Sequence, residues 1–149
     1  MFKHLLVALD GSELADKALK LSLELAKAHG SKMTIVTSTD PIDTGLGTGG
    51  FGLIDAASII KQLEQAYAAQ ANEVLAAAKK ASSDAGVNAE TLYVPNQRAS
   101  ASILETADKI GCDVVIMGSH GRRGLQRLLL GSQAAAVLAG SKVPVLIVK

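Results

Sequence analysis

The chain of 149 residues lacks tryptophan and holds few other aromatic residues, two phenylalanines and two tyrosines. Its core must therefore be built from leucine, isoleucine, valine and alanine, which belong to a hydrophobic share of 48%. Charged residues make up 19% and leave a formal net charge of +1. That balance is typical of a globular protein. The lack of a basic excess argues against nucleic acid or a membrane surface as partner.

Cysteine is nearly absent as well, because Cys112 is the only one and no disulfide can form within the chain. It stands at the entry to an apolar run, where a buried, unreactive thiol is the simpler interpretation. The N-terminal sequence MFKHLLVALDGSE lacks the apolar stretch of a signal peptide or a membrane span. We therefore expect one soluble, cytoplasmic domain that covers residues 1–149.

Short apolar runs alternate with helical patterns along the chain. Continuous apolar runs are typical of strands buried on both faces of a parallel sheet, and their alternation with helices predicts a doubly wound α/β fold. Pro144 opens the last run, which predicts either that this strand lies at a sheet edge or that the strand starts there. The predicted strands are 4–9, 33–38, 91–94, 114–117 and 144–148. The predicted helices are about 12–28, 55–85, 99–110 and 132–140.

Two details of the helical patterns can be checked against the structure. Ser12 or Asp10 is the predicted N-cap of the first helix, and Gly30 its stop. The second helix is expected to bury one apolar stripe along its length. The members of that stripe are Ile60, Leu63, Tyr67, Ala71, Val74 and Ala78.

Two glycine-rich segments compete for a functional role. The first, GLGTGGFG at 45–52, holds two overlapping matches to G-x-G-x-x-G, but Pro41 separates it from the preceding strand. The dinucleotide fingerprint needs its first glycine in the tight turn directly after a strand. We therefore interpret 45–52 as a loop, with a lid over a nearby site as the functional alternative.

The second segment, GSHGRRGLQRLLLGS at 118–132, follows the fourth predicted strand at once. Gly118 allows close approach of a ligand to the backbone, and Gly121 allows a tight turn. Gly131 and Ser132 open a helix whose N-terminus can bind phosphate oxygens. The alternative is an ordinary helix start after a loop. Valine at Gly118 or Gly131 is expected to fill the phosphate space while leaving the fold largely intact.

The spacing of Gly118, Gly121, Gly131 and Ser132 matches G-x2-G-x9-G-[S/T], and with it the chain resembles the ATP-binding branch of the universal stress protein family (UspA-like). The opening HLLVALDGSELADKAL and the closing KVPVLIVK look like that family too. The resemblance implies an adenine nucleotide alpha-hydrolase-like fold: a five-stranded parallel sheet of order 3-2-1-4-5 with helices on both faces. Strands one and four are then neighbours at a topological switch point.

The resemblance also implies a ligand, ATP or else AMP or ADP, with or without magnesium. Asp10 is expected at the ribose, the end of strand two at the adenine, and the start of the fourth helix at the outer phosphates. A homodimer through the last strand, Val143 to Val148, is implied as well. The implied nucleotide-binding residues are Asp10, Thr37, Ser38, Met117, Gly118, His120, Gly121, Gly131, Ser132 and Gln133.

Three functions stay open: an ATP-binding stress-response switch with at most slow ATP hydrolysis, a dimeric interaction module without nucleotide, and an adenylyl-transferring enzyme. We find no P-loop lysine and no clear acid for a catalytic magnesium. Ser119 and His120 are adjacent in sequence, which does not make a triad, and no histidine pair has metal-ligand spacing. We therefore expect no catalytic residue and no resident metal. The arginines at 122, 123 and 127 either neutralise phosphate or face water.

Overall fold

The structure is a computed structural model that describes residues 2–43, 53–122 and 130–149. Strands and helices alternate through these ranges, as the sequence predicts. The elements are β1 His4–Ala8, α1 Glu13–His29, β2 Lys32–Ser38, α2 Leu53–Asp84, β3 Ala89–Val94, α3 Ala99–Ile110, β4 Val114–Gly118, α4 Ser132–Gly140 and β5 Val145–Val148.

The five strands form one sheet of order β3-β2-β1-β4-β5, and every neighbouring pair is parallel. The predicted fold class and strand order are confirmed. Strand β1 lies in the centre, where Leu6 is paired with Thr34 of β2 on one side and Val115 of β4 on the other. Strand β5 pairs with β4 and lies at the edge, which is the first of the two alternatives that Pro144 predicts.

Helices cover both faces of the sheet, and successive residues of β1 point alternately to the two faces. Leu5 and Val7 belong to the core cluster that α1 and α2 complete. Leu6 belongs to the other cluster, which α3 and α4 complete. All three side chains are fully buried, so β1 carries apolar contacts to both layers. This explains why its sequence is a continuous apolar run.

Helix α1 begins and ends on local signals that the sequence shows. Ser12 is its N-cap, and its hydroxyl accepts a hydrogen bond from the Ala15 backbone N–H at 3.2 Å. Gly30 ends the helix in the left-handed conformation, with φ of 63°. Asp10 therefore does not cap α1, and its carboxylate takes a different position that is described below.

Helix α2 departs from the prediction in its first half. Among its described side chains, Ala71 is the first that is buried, while Ile59 and Leu63 are 48% and 37% exposed. The reason is length, because 32 residues make a helix of about 48 Å, more than twice the length of a six-residue strand. The predicted apolar stripe thus joins the core only from Ala71 onward. No helix in the described ranges is long and apolar enough to cross a membrane.

Cys112 is buried against the α3–α4 layer, with 4% of its surface exposed. Burial raises the pKa of its thiol, because the thiolate would lose its hydration. The protonated thiol therefore packs as a small apolar group, which agrees with the structural interpretation of this residue.

His4 generates a pH prediction, because its ring is buried at the amino edge of the sheet and Nε2 lies 2.8 Å from Thr34 Oγ1. Burial, followed by repulsion from Lys32, lowers the pKa of His4 below its ordinary 6.5. Near and below pH 6.5, the unfolded chain therefore binds a proton at His4 more readily than the folded protein does. We expect the free energy of unfolding to fall as pH drops through about 6.5.

Urea unfolding between pH 7.5 and 5.5 measures this effect. His4→Gln, whose amide can still bond to Thr34, should show a smaller loss of stability over that range than the natural chain. His29→Gln, on the exposed end of α1, serves as the surface control. An equal loss in the natural chain and in His4→Gln would contradict the assignment.

Candidate functional site

The carboxyl ends of β1 and β4 lie side by side, and the chain leaves them in opposite directions. From β1 it passes through α1 to β2, and from β4 through α4 to β5. Helices α1 and α4 belong to opposite layers. A crevice forms at such a reversal of strand order, and open α/β sheets bind their ligands there.

Asp10 follows β1 and joins the two sides of this crevice. Its Oδ1 accepts a hydrogen bond from the Ser12 backbone N–H at 2.9 Å, and its Oδ2 accepts one from the Arg122 backbone N–H at 3.0 Å. Gly121 has no side chain where this carboxylate lies, because a Cβ there would be 2.4 Å from Asp10 Oδ2. The acid thus fixes the segment after β4 against the turn before α1.

Gly11 makes the reciprocal space for Arg122. Its φ of +77° favours glycine, and a Cβ there would lie 2.4 Å from Arg122 Nη2. The guanidinium therefore rests over the turn that carries Asp10 and brings a permanent positive charge to the crevice. Of the three arginines in this segment, the other two, Arg123 and Arg127, lie outside the described residues.

Gly118 and Gly131 are also required by packing of the protein on itself. A Cβ on Gly118 would lie 3.0 Å from Leu14 Cβ, and one on Gly131 would lie 3.1 Å from the Ser119 carbonyl oxygen. The Gly131 N–H donates to that same carbonyl at 2.7 Å. Valine at either position would therefore press on protein atoms as well as enter the space expected for phosphate.

Helix α4 begins at the crevice, and its N-cap residue has no side chain that could bind the N–H groups of its first turn. Its N-cap residue is Gly131, which makes no side-chain hydrogen bond to the helix, whereas Ser12 caps α1. The first turn holds Ser132 and Gln133. An uncapped helix start offers N–H donors and the positive end of the helix dipole to an anion.

The side chain of Gln133 has a partner that the sequence does not reveal. Its Oε1 accepts a hydrogen bond from the Ser100 backbone N–H at 2.9 Å, in the first turn of α3. The amide oxygen is thus bound to a neighbouring helix rather than directed to the crevice alone. What Gln133 can offer to an outer phosphate is its backbone N–H in the first turn of α4.

Ser119 and His120 form a hydrogen bond, with 3.1 Å between Ser119 Oγ and His120 Nδ1. Ser119 is only 2% exposed, so a substrate cannot reach its hydroxyl. A nucleophile needs an accessible oxygen and an oriented base. The pair is better suited to holding the turn after β4, where His120 also contacts the position of Gly131.

Thr37, at the end of β2, is buried with 4% of its surface exposed. Its hydroxyl has no hydrogen-bond partner in the described part of the chain, and the same is true of Ser102 in α3. Buried hydroxyls nearly always have a partner. Thr37 lies near the carboxyl end of β2, the strand next to β1, whereas Ser102 lies within α3.

The structure brings part of the predicted set into contact. Asp10 touches Gly121, and Gly131 touches His120, while Met117 is buried in β4 immediately before them. Thr37 and Ser38 end β2, the strand that pairs with β1. The loop glycines at 45–52 lie outside the described residues, as does Gly124. Within the described ranges, no group of three His, Cys, Asp or Glu residues could hold a metal ion.

Comparison with known proteins fits this arrangement. The sequence model of the Universal stress protein family matches residues 1–149. The chain belongs to that family. A universal stress protein of Bacillus subtilis (strain 168) is 31% identical over 150 residues, and the match covers 100% of both chains.

Solved structures agree with the fold. Universal stress protein UspA from Lactobacillus plantarum superposes with a TM-score of 0.85 over 99% of this chain and 98% of its own, and its 18% identity makes the likeness one of fold alone. A universal stress protein solved in complex with cAMP is 27% identical, with a TM-score of 0.70 over 99% of this chain and 97% of its own.

Asp10 is expected to stabilise the folded state, because its carboxylate accepts two backbone hydrogen bonds at once. Asp10→Ala should lower the free energy of unfolding by about 1–2 kcal/mol, since two N–H groups lose a charged acceptor. Asp10→Asn keeps one acceptor oxygen and should lose less. Urea unfolding measures both, with Asp108→Ala as control, because that acid makes one exposed ion pair with Lys142. Equal stability of Asp10→Ala and the natural chain would contradict the role of this carboxylate.

Proposed function

We propose that this universal stress protein binds an adenine nucleotide at the crevice between β1 and β4 and acts as a nucleotide-dependent stress-response switch in the cytoplasm. The observation that carries the proposal is the uncapped start of α4 beside the Asp10–Gly121 contact. An anion-binding helix start and a ribose-binding carboxylate then face one crevice. A family member solved with cAMP supports the choice of nucleotide.

The proposed roles follow from the chemistry of each group. The first-turn N–H groups of α4, from Ser132 to Ala134, bind phosphate oxygens, and the Ser132 hydroxyl adds a donor. Each oxygen of the Asp10 carboxylate accepts one backbone hydrogen bond and still has a lone pair for a ribose hydroxyl. Backbone groups of Thr37 and Ser38 meet the adenine, and the segment from Met117 to Gly121 lines the nucleotide between these ends.

ATP is the proposed ligand, with AMP or ADP as alternatives that use the same ribose and base contacts. The described residues offer no cluster of three metal-ligating side chains, so a magnesium ion would be held chiefly by the phosphates. The buried Ser119 hydroxyl favours binding over catalysis. We propose at most slow ATP hydrolysis.

Calorimetric titration of nucleotide-stripped protein with ATP, and with AMP as the second ligand, tests the proposal. Ser132→Ala removes the hydroxyl that we propose as a phosphate donor, and it should weaken ATP binding by about three- to tenfold, the equivalent of one hydrogen bond. Its unfolding free energy should stay nearly the same, because Ser132 is exposed at the start of α4.

Ser83→Ala is the matched control, since it removes an exposed serine hydroxyl in the last turn of α2, near the amino end of β3 and away from the crevice. ATP affinity should stay unchanged in Ser83→Ala. No heat of binding for ATP, ADP or AMP in the natural chain would reject the nucleotide proposal and favour an interaction module that does not use nucleotide. Product far beyond one equivalent within minutes would instead favour an adenylyl-transferring enzyme.

We further propose a homodimer through Val143 to Val148. Strand β5 pairs with β4 on one side only, and Leu146 is 37% exposed on it. Leu146→Lys should shift the protein toward the monomer in analytical ultracentrifugation, because a charge at a buried contact is costly. Ile59→Lys, at an exposed apolar position on α2, is the control and should leave the mass unchanged. A monomeric natural chain would contradict this part of the proposal.

A further inference from the structure

A cavity of about 250 Å³ opens at the carboxyl ends of β2 and β3, between that edge of the sheet and α2. Its lining residues differ from those of the crevice between β1 and β4, and the two regions come nearest at the end of β2, where Thr39 follows Ser38. Its volume is close to the lower end of the range for small-molecule sites. The residues that line it come from three segments that are distant in sequence.

Both tyrosines of the chain line this cavity. Tyr67 comes from α2 and Tyr93 from β3, and both are half-buried. Glu64 stands three residues before Tyr67, so the two share one face of the helix and both border the cavity. A chain with four aromatic residues in total thus places two of them around one opening.

The cavity exists because its helical wall is not packed against the sheet. In the described part of α2, no side chain before Ala71 is buried, and the cavity lies along that section. The opposite wall is held by hydrogen bonds: Thr39 N–H donates to the Val94 carbonyl at 3.1 Å, and Gln97 N–H donates to the Thr39 carbonyl at 2.9 Å. These backbone hydrogen bonds therefore fix the wall of the cavity at the ends of β2 and β3.

Hydrogen bonding also orients the aromatic wall. Thr39 Oγ1 lies 2.9 Å from Tyr93 Oη. One hydroxyl donates to the other, so the accepting hydroxyl keeps its own proton for another acceptor. The phenol ring is held by this bond, and on the sheet side it packs against the α1–α2 core. A ring fixed in this way can present the same surface to each ligand.

The charge of the cavity has one sign. Glu64 is exposed at its rim, and none of the described residues that line it is a lysine, arginine or histidine. The faces of phenol rings carry the negative part of the ring quadrupole and attract cations. Ile42 and Pro95 add apolar surface. Carboxylate, aromatic faces and apolar surface together suit a cation that has an apolar body.

We propose that this cavity binds a small organic cation, an ammonium group joined to an aryl or alkyl body. The ammonium would lie between the Glu64 carboxylate and the tyrosine rings, and the body against Ile42 and Pro95. This inference does not rest on nucleotide binding, because it uses none of the residues of the crevice between β1 and β4.

An NMR titration of the whole ¹⁵N-labelled chain tests the inference with two probes of the same ring and similar length. Phenethylammonium should shift the backbone amides of Thr39, Ala68 and Asn96, which border the cavity. The anion 3-phenylpropionate should bind at least about fivefold more weakly, because Glu64 repels it and the rings do not attract it. Equal affinity for both probes, or shifts centred on Gly118 and Gly131, would overturn the inference.

Three variants identify the groups responsible. Glu64→Gln should weaken phenethylammonium binding about two- to fivefold and Tyr67→Leu about tenfold or less, the usual range for loss of a charge or a cation–π contact. Glu73→Gln, further along α2 at an exposed position, is the matched control and should bind as the natural chain does. Unchanged binding in both Glu64→Gln and Tyr67→Leu would overturn the inference.

The same titration in saturating ATP separates this inference from the proposed function. Unchanged phenethylammonium affinity is expected, and displacement of the probe by ATP would overturn the claim of a second site. A natural chain that binds phenethylammonium but not ATP would reject the nucleotide proposal and leave this inference standing.

Discussion

The parallel pairing of β1 with β4 is the constraint on which the rest of the molecule depends. It puts the carboxyl ends of both strands at one point, and the two turns that follow then fit each other. Asp10 occupies the space that Gly121 leaves open, and the Arg122 guanidinium occupies the space over Gly11. Each glycine therefore makes room for a side chain that belongs to the other turn. The close contact between the two turns depends on both glycines.

This mutual fit changes what the glycine motif means physically. Gly118, Gly121 and Gly131 each face protein atoms within 3.1 Å of a built Cβ, so packing alone requires small residues at these positions. The motif therefore indicates that the two turns are packed against each other. Helix α4 begins in the same region, with Gly131 as its N-cap residue. Packing does not explain the start of α4, where the N-cap Gly131 offers no side chain to the first-turn N–H groups, and the nucleotide proposal rests on this feature.

The sequence predicts most of the fold, because buried parallel strands read as continuous apolar runs and glycines mark the helix ends. It misses the first two residues of β3, Ala89 and Glu90, since the exposed Glu90 separates Ala89 from the apolar run that follows. It overestimates the packing of α2, because periodicity shows which face is apolar and not whether a sheet lies beneath it. Two features join distant segments, so no local sequence pattern predicts them. They are the hydrogen bond from Ser100 to Gln133 and the cavity between Tyr67 and Tyr93.

The hydrogen bond between Ser100 and Gln133 links α3 to α4, and the two residues are 33 positions apart in the chain. The N-cap residue of α3, Arg98, makes no side-chain hydrogen bond, so the first turn of α3 takes its acceptor from the first turn of α4. During folding, α3 can form early as a local helix, but its start is completed only after the chain has passed through β4 and returned. In the native state this bond joins the first turns of the two helices, so a displacement of α4 would have to break it or move the start of α3 as well.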